Sequence, residues 1–148
     1  MIKFKADQDV VLAKVAIIRR CLKRIEKVTE GDPAKLDTYD CQDIFVLNLQ
    51  RAVQATIDLA VHLVAINELG MPSNIKDSFE LLKRESIISS DLADRMKRMV
   101  GFRNIAVHDY QALDPEILKS ILTTNLIDLV EFYEAVLRSH GDGSCGWV

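Results

Sequence analysis

The fold is decided by one run, Val46-Leu47-Asn48-Leu49-Gln50-Arg51-Ala52-Val53-Gln54-Ala55-Thr56-Ile57-Asp58-Leu59-Ala60-Val61-His62-Leu63-Val64. Val46, Leu49, Val53, Ile57, Ala60 and Val64 recur at spacings of three and four, which lines them up on one face of an α-helix. The helix extends back to Asp37 or Thr38 and forward to Leu69. Gly70 stands where a left-handed C-cap belongs, and Pro72 blocks continuation. Roughly thirty residues at 1.5 Å each give about 45 Å. That exceeds what a small domain needs, so the expectation is that this helix shares its surface with a partner chain.

Outward from this rod, the pattern stays helical. Val11, Val15, Ile18, Leu22 and Ile25 form a stripe on a first helix from about Asp7 to Thr29, stopped by Gly31-Asp32-Pro33. A short third helix from about Asn74 to Glu85 carries Ile75, Phe79 and Leu82. A fourth follows Ser89 or Ser90, either of them a good N-cap, with Asp91 in its first turn and Leu92, Met96 and Met99 as its stripe. Asp114-Pro115-Glu116 opens a fifth, with an acid at the cap and proline at the first helical position. Leu118, Leu122, Leu126, Leu129, Tyr133 and Val136 carry it to about Ser139. The expectation is an all-α antiparallel bundle of about five helices, one domain over residues 1–140, then a flexible glycine-rich tail over 141–148.

Composition agrees. The 148 residues are 49% apolar and 28% charged, enough to bury a core, and only 6 Gly and 3 Pro argue against a turn-rich β fold. A net charge of −3 excludes a general nucleic-acid binder but leaves room for a local basic patch. Cys21, Cys41 and Cys145 are an odd set without a CxxC pair, which excludes a zinc ribbon or disulfide framework. No secretory signal and no unbroken run of about 18 apolar residues is present. The most apolar stretch, Leu59 to Ile66, is interrupted by His62. A cytoplasmic protein that meets no membrane is expected.

The pattern breaks once. Continuing the fourth stripe from Leu92, Met96 and Met99 reaches Arg103, a guanidinium where a hydrophobe is due. Desolvating an unpaired arginine costs several kcal/mol, and such failures of local rules mark candidate functional sites. The decapeptide is Gly101-Phe102-Arg103-Asn104-Ile105-Ala106-Val107-His108-Asp109-Tyr110. It offers a cation, an amide, an imidazole, a carboxylate and a phenol. A purely structural account would pair Arg103 with an acid in the bundle and leave His108 capping the helix end. On a straight helix Arg103 and His108 lie about 140° apart and cannot grip one phosphate. Either the helix bends or ends between them, or a second chain completes the site across a two-fold axis. Arg103 and Tyr110, seven apart, lie nearly in line.

This decapeptide resembles the signature of HEPN domains, in particular the toxins of HEPN–MNT toxin–antitoxin modules. Arg103, His108 and Tyr110 match the Arg–four residues–His–x–Tyr pattern, and Asn104 is the polar residue expected after the arginine. The run from Asn48 to Ala60 also looks like that subfamily's second helix, and the likeness extends over roughly residues 5 to 140. The resemblance implies a dimeric, metal-independent endoribonuclease without a cofactor, in which Arg103 and His108 of two chains meet in a cleft. The residue types suit the task. RNA brings its own nucleophile, the 2′-OH, so imidazole can move protons while guanidinium grips the phosphate. Asn104 would orient the phosphate or His108. The two His108 side chains would share the acid and base roles, leaving a 2′,3′-cyclic phosphate or 3′-phosphate end. The resemblance further implies a nucleotidyltransferase antitoxin that transfers AMP from ATP to Tyr110, blocking RNA by bulk and charge.

Between Lys83 and Arg103, six bases face three acids, so the neighbourhood of the motif reads as positive. Asp58 and His62, four apart on the second helix, form a helix-surface pair or orient a catalytic group. His140 suits the last turn of the fifth helix, Cys21 and Cys41 read as core fillers, Cys145 is open to oxidation, and Trp147 is available to a partner. A di-iron bundle would need Glu-x-x-His pairs, and none is present. The competing reading is a non-catalytic HEPN subunit that binds nucleotide or substrate for a partner nucleotidyltransferase.

Overall fold

The computed structural model describes residues 7–108 and 114–141; within that range the side chains of Val107, His108 and His140 are left undescribed. The elements are α1 (Gln8–Thr29), a 3₁₀ turn (Pro33–Asp37), α2 (Tyr39–Ile66), α3 (Ile75–Arg84), α4 (Ser90–His108), α5 (Pro115–Ser120), a π-helical turn (Ile121–Asn125) and α6 (Leu126–Gly141). Counting α5, the π turn and α6 as one rod gives five helical rods, and no strand occurs among the described residues.

Side chains set the helix starts. Asp7 Oδ1 accepts from the backbone N–H of Asp9 and Val10, Asn74 Oδ1 from Asp77, and Asp114 Oδ1 from Glu116. Of the two candidate serines, Ser89 caps α4, its Oγ accepting from Leu92 N–H at 3.1 Å. Asp77 also reaches back to the backbone N–H of Ser73, so the entry to α3 is doubly fixed.

The helix ends differ from expectation. α1 stops through Glu30, which takes a left-handed φ of 54° and donates to Glu26 O, before Gly31 at φ 72° continues the turn. α2 ends three residues early, at Ile66. Glu68, with φ 53°, takes the left-handed position anticipated for Gly70, and the N–H groups of Glu68 and Leu69 fold back on Ala65 and Val64. The fifth rod is not uniformly α-helical. Thr123 Oγ1 donates to Lys119 O and Thr124 Oγ1 to Ser120 O, and these hydroxyls compete for carbonyls that a tight α ladder would use.

α2 is the hub. α1 runs antiparallel along it, and α3, α4, α5 and α6 also contact it. All six residues of its expected stripe are buried. This stripe is therefore covered within the chain, while Leu47 and Val61 of α2 remain exposed. By length and composition α2 could cross a bilayer, contrary to the reading of the bare sequence. However, 61% of its most apolar window is buried in the bundle, the behaviour of a core helix.

The core joins Val11, Val15, Ile18, Cys21 and Ile25 of α1 to Leu49, Val53, Leu59 and Leu63 of α2. Phe79 and Leu82 of α3, Met96 and Met99 of α4, and Leu118, Leu129 and Phe132 of the last rod complete it. Phe79 and Phe132 meet edge to face at 5.5 Å. Cys21 and Cys41 are buried free thiols, and burial pushes both above the ordinary thiol range. The tail with Cys145 and Trp147 lies outside the described residues.

Candidate active site

The motif sits on the last two turns of α4. Leu92, Ala93, Met96, Met99, Val100 and Ala106 turn inward, while Asp94, Arg98, Asn104 and Ile105 face solvent. Arg103 follows the inward face in helical phase, yet is only half-buried. Its Nε is fully enclosed and has no hydrogen-bond partner. A buried donor left unmade costs about 1–3 kcal/mol, more on a charged group. The structural account, in which Arg103 pairs with an acid of the bundle, therefore fails among the described residues.

Arg95, two turns earlier, shows what a structural arginine looks like here. Its Nε donates to Asp91 Oδ2 at 2.9 Å, and its Nη1 donates to Asp128 Oδ1 at 2.7 Å and also to Glu131. These carboxylates hold the guanidinium charged well above its ordinary range. Only the Asp91–Arg95 contact, at i,i+4, was legible in the sequence.

α4 is unbroken from Arg103 to His108. The helix therefore does not end between them, and on a regular helix the two residues lie about 140° apart. Asn104 is exposed and precedes His108 by four residues, so these two share a face. Tyr110 falls in the connection outside the described residues.

The positive neighbourhood expected from Lys83 to Arg103 is largely cancelled. Lys83 and Lys97 both close on Glu80, whose carboxyl their hydrogen bonds hold down at about 2. Arg95 draws Asp128 and Glu131 from α6. A linear window misses acids supplied by the helix before it and the helix packed across it. Arg84, Arg98 and Arg103 remain without an ion pair among the described residues.

Asp58 and His62 do not serve the motif. Asp58 accepts from Lys14 Nζ at 3.2 Å and Gln54 Nε2 at 2.9 Å, and His62 Nε2 accepts from the Asp7 backbone N–H at 3.2 Å. Together they latch the start of α1 onto α2. A groove of about 700 Å³, bordered by Lys83, Ser86, Leu92, Arg95, Glu131 and Arg138, lies at the opposite end of α4 from the motif. Among the described residues no group of three or more His, Cys, Asp or Glu is placed to hold a metal ion.

The family described as "Ribonuclease HepT-like" matches residues 18–136, which include the whole Arg103–His108 segment. The chain belongs to the HepT-like ribonucleases. A relative from Shewanella oneidensis, "mRNA nuclease HepT", is 42% identical over 129 residues, 86% of this chain and 96% of its own length. The solved structure of the tri-AMPylated Shewanella oneidensis HEPN toxin with its MNT antitoxin superposes at a TM-score of 0.81, with 41% identity over 86% of this chain and 96% of that one. The Bacillus subtilis cytosolic protein YutE, only 15% identical, shares the fold at TM-score 0.81 over 99% of this chain and 98% of its own. The all-α architecture is thus HEPN-like, and this HepT-like chain is a nuclease.

Proposed function

We propose that this HepT-like ribonuclease is the toxin of a toxin–antitoxin pair and acts as a two-fold dimer that cleaves RNA within the strand. The observation that carries the reading is that Arg103, only half-buried, has no ion pair among the described residues, on a helix whose other core-side arginine, Arg95, is saturated with carboxylates. A scissile phosphate is an acceptor of the right charge and geometry for that fork.

In this reading, one chain's His108 removes the 2′-OH proton and the other's protonates the departing 5′-oxygen. The 2′-oxygen forms a bond to phosphorus as the P–O5′ bond breaks, giving a 2′,3′-cyclic phosphate and a 5′-OH. Arg103 neutralises the charge that builds on the non-bridging oxygens, and Asn104 orients the phosphate or the imidazole. The chemistry asks for no metal, so cleavage persists in EDTA. The separation of Arg103 and His108 around α4 supports a two-fold arrangement in which each chain supplies part of the site. The fold and identity shared with the AMPylated Shewanella toxin support neutralisation by a nucleotidyltransferase that moves AMP from ATP to the Tyr110 hydroxyl, releasing pyrophosphate.

The test is expression of the wild type, Arg103→Ala and His108→Ala without any partner, scoring growth and RNA integrity. Wild type alone should arrest growth and degrade RNA. Intact RNA in all three would leave the non-catalytic subunit as the surviving reading. Intact-mass analysis after incubation with the cognate nucleotidyltransferase and ATP, with Tyr110→Phe as control, tests the modification.

A further inference from the structure

Lys76 and Arg98 stand beside the motif with their charge unspent. The Lys76 ammonium on α3 lies 3.7 Å from where a Cβ on Gly101 would be. Among the described residues, apart from the local helix backbone and the adjoining Val100 and Phe102, nothing else comes within 4 Å of that position. Packing therefore does not require glycine here, although glycine in a helix interior costs about 1 kcal/mol against alanine. Arg98, exposed, is one turn earlier on the same side of α4. Neither Lys76 nor Arg98 pairs with an acid among the described residues. Their neighbours Lys83, Lys97 and Arg95 are all committed. Asp77, next to Lys76, has its carboxylate on Ser73. Asp94, the acid nearest Arg98 along α4, lies one turn before it on the same side of the helix and is exposed, but no ion pair joins the two among the described residues.

Helical phase ties this pair to the candidate chemistry. Arg98, Gly101, Asn104, Ile105 and His108 follow one stripe, at steps of three and four. Gly101 and His108 are seven residues apart, about 10.5 Å along the axis and nearly in line. A strand of RNA laid along this stripe meets cationic groups at one end and the titratable residue at the other.

We propose that Lys76 and Arg98 form a second phosphate subsite for single-stranded RNA, one or two nucleotides from the scissile bond, with bare Gly101 letting the ribose-phosphate chain lie against α4. The proposal rests on the ribonuclease reading and adds to it the contact that positions the substrate strand.

The test uses Lys76→Ala, Lys76→Glu, Arg98→Ala and the remote control Lys23→Ala on α1. Binding of a fluorescent uridine-rich single-stranded oligonucleotide is followed by anisotropy over a salt series in the His108→Ala background, which keeps the probe intact. Each phosphate contact to single-stranded nucleic acid contributes a slope of about −0.7 in log K against log salt. Lys76→Ala and Arg98→Ala should each flatten the slope by that amount, Lys76→Glu should weaken binding further, and Lys23→Ala should do neither. In chains that retain His108, the loss should fall on KM rather than on kcat. Slopes equal to that of Lys23→Ala overturn the proposal, and if His108→Ala still abolishes cleavage, the nuclease reading survives it. Unchanged RNA slopes with weakened capture of the nucleotidyltransferase would reassign the pair to a protein contact and overturn it equally. Absence of both RNA binding and cleavage in the wild type would remove the subsite and the nuclease reading together.

Discussion

Arg95 on α4 donates through Nη1 to Asp128 on α6 at 2.7 Å, and the carboxylate it meets is only 3% exposed. This contact fastens the helix bearing the motif to the last rod of the bundle. Removing one partner of a buried pair strands the other charge, which costs about 3 kcal/mol or more. Arg95→Ala should lower the urea midpoint accordingly at unchanged m-value, and adding Asp128→Asn should recover part of the loss. Additive losses in the double variant would contradict the pairing.

Glu80 ties α3 to α4 through Lys83 and Lys97, which lower its carboxyl from the ordinary 4.5 to about 2. A group depressed in the folded state adds stability above its ordinary pKa and loses it as pH falls through the folded value. Glu80→Gln should therefore lower Tm at neutral pH. The gap to wild type should close as pH falls from about 4.5 toward 2. A gap constant over that range would show that the carboxylate's charge plays no part.

Gly101→Ala should raise stability by up to about 1 kcal/mol, because helix propensity improves and the nearest foreign atom, Lys76 Nζ, sits at an ordinary 3.7 Å. A fall in Tm would mean that this turn is more crowded than the geometry indicates.

Phe132 is fully buried and its ring meets Phe79 edge to face, joining α6 to α3. Phe132→Ala should cost about 3–5 kcal/mol, read from denaturant unfolding, while Phe132→Leu should keep more than half of that.

Arg103→Lys separates catalysis from structure. Lysine keeps the charge but loses the planar fork, so cleavage should fall about a hundredfold. Stability should hold or rise, because the enclosed, unpartnered Nε disappears. A drop in Tm would mark Arg103 as a bundle element instead.

Helix identities and stripes were readable because apolar spacing reports directly on burial: every residue of the α2 stripe proved buried. Helix ends were readable where a cap is local, as at Asp7, Asn74 and Asp114, and misread at Ile66, where Glu68 accepted the left-handed conformation in place of glycine. The π turn escaped because three hydroxyl-bearing residues, Ser120, Thr123 and Thr124, leave an unremarkable apolar period intact. At the site, the misfit of Arg103 was legible as a break in a stripe. The charge of its surroundings was not, because Glu80, Asp128 and Glu131 reach the basic segment only through packing. Lys76 was equally invisible: its proximity to Gly101 depends on the antiparallel register of α3 on α4, which also joins Glu80 to Lys97.

The unbroken course of α4 between Arg103 and His108 has a kinetic consequence. If neither subunit can present both groups to one phosphate, turnover belongs to the pair, and its rate at low abundance scales with the square of protein concentration. Dilution beneath the dissociation constant would then silence the enzyme with every helix intact, giving the cell a concentration threshold separate from any antidote.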